Sequence, residues 1–155
     1  MELIIDKLKE SIDAGLNFDE ICAKINAYKE KTHLNFALES LDNLAKNGRI
    51  SPAVAKVAKM LKIRIIGRPD DGKLTPIGKA RGAKKTISYL IKDMEEHGFS
   101  NGRVIIAHIL NEEGADNLKQ AILAKHPEAV VEIREARGLC TYYAQKGGLM
   151  VGYEA

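Results

Sequence analysis

From Lys62 to Ala80 the chain reads KIRIIGRPDDGKLTPIGKA, and this stretch restricts the fold more than any other. Its apolar residues alternate on either side of Pro69-Asp70-Asp71-Gly72, as in two strands that each bury one face. The four residues between them are turn formers: proline presets its φ, aspartate bonds to nearby backbone, and glycine accepts positive φ. Strands joined this tightly run antiparallel, with Ile63–Ile66 facing Leu74–Ile77. Elsewhere helical and strand patterns alternate, which alone would give a parallel α/β sheet. The hairpin makes the sheet mixed and excludes an all-helical or purely parallel fold.

The remaining elements follow from periodicity and punctuation. Met1–Ala14 reads as a helix with Leu3, Ile4, Leu8 and Ile12 on one stripe and Gly15 as its stop. Asn17 caps a second helix, with Glu20 as its reciprocal partner and Ile21, Cys22, Ile25 and Tyr28 as its buried face. HLNFALES is a short strand. SLDNLAKNG is a helical turn or two, with Asn47, Gly48 and Arg49 as C-cap and turn. SPAVAKVAKMLK is a helix with Ser51 as N-cap and Pro52 at its first position. AKKTISYLIKDMEEHG buries Ile87, Leu90, Ile91 and Met94. GRVIIAHIL is a strand buried on both faces. A helix over EEGADNLKQAILAKHP, a strand at AVVEIREA and a last strand at GLMVGYEA complete the order. In a strand, the consecutive Tyr142 and Tyr143 face opposite sides.

Composition excludes several classes of function. At 155 residues, with 45% apolar and 29% charged residues, the chain is globular and large enough to form a core without staples. A formal charge of +3 is too small to argue for nucleic acid, and tryptophan is absent. A nucleic-acid role would rest on the basic turn alone. Cys22 and Cys140 stand far apart, outside any CxxC pair, and read as buried, reduced thiols of a cytoplasmic protein. No apolar run approaches the roughly 20 residues of a membrane span. The start, MELIIDKLKESI, carries acids within its apolar stretch and does not read as a signal peptide. His108 reads as a hydrogen-bonded core residue. His33, His97 and His126 fall at element ends and read as exposed. No histidine pair has metal-ligand spacing, and no cofactor is expected.

GKLTPIGKARGAKK, residues 72–85, holds four lysines, one arginine and no acid. It either holds an anion or is a solvated helix start. Basic side chains at a helix N-terminus oppose the helix dipole, which favours a functional reason for Arg81, Lys84 and Lys85. Arg81 can bond bidentately, Gly82 lets backbone approach closely, and the following helix offers N-terminal amides.

Four stretches together resemble the second half of a DegV-family fatty-acid-binding protein. They are SLDNLAKNGRIS, MLKIRIIGRPDDGKLTPIGKARGAKK, VIIAHILNEEGADNLKQAI and GLCTYYAQKGGLMVGYEA. Each alone is weak, but their order and spacing agree from about Leu16 onward. The resemblance implies an α/β, mixed-sheet C-terminal domain, with residues 1–32 as helical connector and 33–155 as core. It further implies that a parallel α/β N-terminal domain of the same protein is missing, in keeping with two helices that begin without lead-in. In the family, a long-chain fatty acid lies between the two domains and is presented to a separate fatty-acid kinase. The carrier has no nucleotide site and is not itself an enzyme.

That division of labour is physically reasonable. Sixteen buried carbons contribute roughly 12 kcal/mol gross at about 0.8 kcal/mol per methylene, so an enclosing apolar tunnel supplies most of the affinity. The resemblance places Arg81, Thr141, Tyr143 and Arg49 near the ligand, and Arg81, Lys84 and Lys85 at the phosphate or the kinase. Many members carry a histidine before a final Gly-Pro-Gly; here Ala144 stands at that position and Lys146-Gly147-Gly148 replaces the glycine-proline run. Thr141, Tyr143 or Lys146 is left to meet the carboxylate. The expectation is a cytoplasmic lipid-carrier domain. Its rival is a regulatory or interaction domain that keeps the fold without the ligand.

Overall fold

The computed structural model describes residues 1–155. Its elements run α1 (Glu2–Asp13), α2 (Phe18–Lys29), β1 (Thr32–Leu38), α3 (Asp42–Lys46), α4 (Pro52–Met60), β2 (Arg64–Asp70), β3 (Lys73–Ala80), α5 (Ala83–Glu96), β4 (Arg103–His108), α6 (Glu112–Lys125), β5 (Val130–Glu135), α7 (Gly138–Ala144) and β6 (Leu149–Glu154). One six-stranded sheet has the order β3-β2-β1-β6-β4-β5. Only β4 and β5 pair in parallel; every other neighbour is antiparallel. The mixed α/β sheet expected from the hairpin is therefore present. The turn sits at Asp71-Gly72, both at positive φ (45° and 72°), as a two-residue type I′ hairpin requires. Pro69 and Asp70 belong to β2 itself.

Strand alternation divides the core between the two faces of the sheet. One face carries Ile66, Val104, Ile106, Val151 and Tyr153 against Leu90, Ile91 and Met94 of α5 and Leu118 and Ile122 of α6. On the other, Phe36 and Leu38 pack with Leu44 of α3, Ala55 and Ala58 of α4 and Ala144 of α7. The helices of this second face leave part of the sheet uncovered, and the groove described below lies there.

α1 reaches the sheet through Leu3 and Ser11, both buried. Asp6 meets Arg103 at 3.1 Å and Arg134 at 3.2 Å, and Glu10 meets Arg103 at 2.8 Å. The expected apolar stripe is only partly used: Leu8 is 37% and Ile12 56% exposed. The inward position is held instead by Ser11, whose hydroxyl donates to Lys7 O at 2.8 Å. α2 has the expected Asn17–Glu20 capping box but no buried residue. Cys22 and Cys140 are exposed rather than buried, because α2 and α7 turn those positions to solvent. His33, His97 and His126 are half-buried, not exposed, since aromatic rings or acidic partners cover them. Tyr142 and Tyr143 lie on a helix rather than a strand.

Candidate functional site

The uncovered sheet face forms a groove of about 540 Å³. Its floor follows from strand register. Leu34 of β1 pairs with Gly152 of β6, which pairs with Ile105 of β4. Paired residues point to the same face, so a glycine lies between two aliphatic side chains and the row becomes a trough. Met150 and Ala107 continue it toward α7, where Cys140 closes one end. The first residues of α1 form the opposite wall, with Leu3 reaching toward Gly152. Leu34 remains 39% exposed, so the apolar wall stands open to solvent.

The groove continues through the gap between β1 and β2 to the opposite, α5-facing side of the sheet, and that end is polar. β1 pairs with β2 only over Phe36, Ala37 and Leu38. Where the strands part, the groove reaches Arg68, His33, Asn35 and His97. Buried Asn35 donates from Nδ2 to Asp93 Oδ2 at 2.9 Å. The Arg68 guanidinium bonds His97 Nε2. Guanidinium only donates, so Nε2 is the acceptor, and Nδ1 carries the proton and gives it to Asp93 O at 2.7 Å. His33 stacks on Tyr153 with ring centroids 5.3 Å apart. Burial, then the proximity of His97 and Arg68, holds the His33 imidazolium below its usual pKa.

A second cavity, of about 610 Å³, lies past the C-terminal end of β1 and shares no lining residue with the groove. Lys59, Lys62, Arg64, Arg81 and Lys146 surround it, with Glu39 as the sole acid. Arg64 is tied to Glu39, its Nε at 3.0 Å from Oε1, and Lys59 to Asp42 at 3.0 Å. Lys62, Arg81 and Lys146 have no carboxylate partner, so the cleft carries surplus positive charge. Gly82, the N-cap of α5 at φ +82°, also borders it. No side chain caps α5, and its first-turn amides remain available to an anion.

The segment entering β6 frames the same edge. Gln145 has φ +56° and ψ 179°, a region costly for any residue but glycine. Its Oε1 accepts from Ser40 Oγ at 3.2 Å, while its buried Nε2 has no partner. Gly147 is at φ +88°, and a Cβ there would collide with the Glu39 carboxylate. Asn111 Nδ2 donates to Gly147 O at 3.0 Å, fixing this segment to the loop after β4.

The residues singled out from the sequence fall in three places. Arg81 borders the basic cleft, and Lys85 joins it at a neighbouring depression beside Tyr89. Lys84 is exposed and lines neither. Thr141 and Tyr143 lie on α7: the Thr141 hydroxyl donates to Ala136 O at 2.8 Å, and Tyr143 packs against the second core cluster. Arg49 is exposed at the end of α3, where its N–H donates to Leu44 O at 2.8 Å, and it borders neither cavity. Sequence reasoning missed Lys59, Lys62 and Arg64 in the cleft, and Arg68, His33 and His97 at the groove's end. The hairpin carried one signal: its register pairs Arg64 with Ala80, next to Arg81.

No helix is long and apolar enough to cross a membrane, and no cluster of three or more His, Cys, Asp or Glu could hold a metal ion. A family described as uncharacterised protein, DegV family, matches residues 1–155. A DegV domain-containing protein of Streptococcus pyogenes serotype M3 is 41% identical over 155 residues, 99% of this chain and 55% of the relative. A DegV family protein from Eubacterium eligens, loaded with heptadecanoic acid, superposes with a TM-score of 0.94 at 39% identity, covering 99% of this chain and 56% of that one. The Streptococcus pneumoniae fatty acid kinase (Fak) B3 protein, loaded with linoleic acid, gives 0.93 at 40% identity over 98% of this chain and 54% of that one. The chain thus spans about half the length of the relatives it matches.

Proposed function

This chain belongs to the DegV family, and from that premise we propose that it forms one wall of a binding groove for a long-chain fatty acid. The observation that carries the reading is the trough Leu34–Gly152–Ile105, an open apolar channel. It occurs in a chain that superposes at 0.94 on a relative loaded with heptadecanoic acid. An acyl chain gains about 0.8 kcal/mol per methylene taken out of water, and an uncovered trough supplies only part of that enclosure. A second domain, of the kind the longer relatives have room for, supplies the facing wall.

The basic cleft has a complementary role. Asn35 of β1 lines the groove and Glu39, the residue just past the end of β1, lines the cleft; four residues of extended backbone span about 13 Å. A fatty acid spans that distance. Arg81, Lys62 and Lys146 then stabilise negative charge as the carboxylate becomes an acyl phosphate on a partner kinase, and Lys84 and Lys85 extend the docking surface. Thr141 and Tyr143 belong to α7, whose Cys140 closes one end of the groove, and Arg49, which borders neither cavity, is assigned to the side of a second domain. The chain itself carries lipid and performs no catalysis.

Native mass spectrometry of the purified chain after incubation with heptadecanoic acid tests the reading. One equivalent bound, competed by linoleic acid, supports it. No uptake, by the chain alone or fused to the first half of the Eubacterium eligens relative, overturns it and favours an interaction domain that keeps the fold without the ligand.

A further inference from the structure

The polar end of the groove is not explained by an apolar ligand. Four arginines are half-buried: Arg64, Arg68, Arg103 and Arg134. Three of them meet carboxylates, Arg64 through Glu39, Arg103 through Asp6 and Glu10, and Arg134 through Glu2, Asp6 and Glu132. Arg68 meets none, and its only side-chain partner is the neutral His97. An imidazole nitrogen occupies one of five donors and offsets no charge. The nearby acid, Asp93, is already engaged by Asn35 and by its own helix's His97. Removing a guanidinium partly from water without an anion is unfavourable, and the groove brings solvent-accessible space to it.

We propose that Arg68 is a carboxylate-binding pole at the far end of the groove. The proposal rests on the reading of the groove as a lipid site and adds the polarity of its ligand. Arg68 offers the carboxylate a planar pair of N–H donors. His97, bonded through Nδ1 to Asp93 O, holds the guanidinium in place as a positioning residue. Two sources supply such a group: the second carboxylate of a long-chain dicarboxylic acid lying along the trough, or the single carboxylate of a fatty acid inserted in the opposite sense. In both, the apolar chain runs from Arg68 through the gap between β1 and β2, then past Leu34 and Gly152 toward Met150.

The experiment titrates the whole chain and its Arg68→Gln variant with decanoic acid, decanedioic acid and 1-decanol, each below its aggregation limit, by calorimetry and by the NMR signal of the Arg68 side-chain N–H. Thermal melting checks that the variant folds, and Arg68→Lys, which keeps the charge without the fork, provides a second variant. If the dicarboxylic acid is the source, it binds the native chain more tightly than decanoic acid, and Arg68→Gln removes that advantage. If the reversed monoacid is the source, Arg68→Gln weakens decanoic acid about 10- to 100-fold. In either case 1-decanol is unaffected, and Arg68→Lys is intermediate. Equal affinity of both acids for native and Arg68→Gln chains overturns the proposal while leaving the lipid groove standing. A native chain that binds none of the three probes overturns the groove reading and the proposal with it.

Discussion

Gly152→Leu is the most direct test of the trough. A Cβ at Gly152 would lie 3.7 Å from Leu3 Cδ1 and 3.8 Å from His33 O, ordinary contact distances with nothing to displace. Gly152 also has φ outside the left-handed region, so no backbone strain opposes a side chain there. A Cβ is thus accommodated, and the rest of a leucine side chain extends into the channel between Leu34 and Ile105. Its four side-chain carbons take space that about four ligand methylenes would occupy, at about 0.8 kcal/mol each. The loss is about 3 kcal/mol, or roughly a hundred-fold in affinity. Folding stability changes by less than about 1.5 kcal/mol, because a strand glycine is replaced by a residue that packs on a half-buried surface. Calorimetry with hexadecanoic acid, beside thermal melting, reads both quantities. A variant with native affinity and a native melting temperature would show that the acyl chain does not cross Gly152, and the trough would not be the binding site.

Further outcomes follow from the same structure. Arg81→Ala is expected to leave lipid uptake nearly unchanged and to slow kinase-coupled acyl-phosphate formation about 10- to 100-fold, since one charge-assisted contact is worth about 1.5–3 kcal/mol; an unchanged turnover number would reduce the basic stretch to a solvated joint. Gly147→Ala should destabilise the fold by about 1–3 kcal/mol, through positive φ and collision with Glu39, and lower the melting temperature accordingly, whereas Gly72→Ala, with nothing within 4 Å, carries only the conformational cost. His33 is held below the ordinary 6.5 by burial and by His97 and Arg68, so the unfolded chain takes up its proton first as pH falls. Stability is therefore expected to decline just below pH 6.5, and denaturant titrations of His33→Asn should lose part of that slope.

Much of the fold was legible because its signals are local. The Asp71-Gly72 turn, the Asn17–Glu20 capping box and the apolar faces of α5 and α6 each depend on residues a few positions apart. The errors came where a pattern needs a tertiary partner to have meaning. The α1 stripe has helical spacing, yet its Leu8 and Ile12 are exposed, because α1 meets the sheet through Leu3, Ser11 and a set of ion pairs. TYYA has strand-like side chains but forms a helical turn, held to α3 by Asn43 Nδ2 donating to Tyr142 O at 2.7 Å and Asn47 Nδ2 donating to Tyr142 Oη at 3.0 Å. Those partners lie 99 and 95 residues away in sequence.

The site divides along the same line, and strand order is the reason. The basic stretch was visible because its charges are consecutive, whereas the groove depends on β1, β6 and β4 being neighbours although they are far apart in the chain. Gly152 looks like any strand glycine until Leu34 and Ile105 are placed on either side of it. Arg68 looks like hairpin decoration until β1, before Phe36, and β2, beyond Gly67, part and the gap opens toward His33 and His97. β1 connects the two halves of the site, with its N-terminal residues in the groove and the residues after its C-terminal end in the basic cleft. A ligand that occupies both must therefore lie along β1, so substitutions on that strand and just past its end should separate apolar affinity from charge recognition. Leu34→Ala should weaken hexadecanoic acid and 1-hexadecanol alike, by about 2 kcal/mol for three lost carbons. Ser40→Ala, which removes a donor to Gln145 at the cleft's edge, should affect only the acid. Calorimetry with both ligands decides the matter: an acid-specific loss at Leu34, or an equal loss of both ligands at Ser40, would mean that the ligand does not run along this strand.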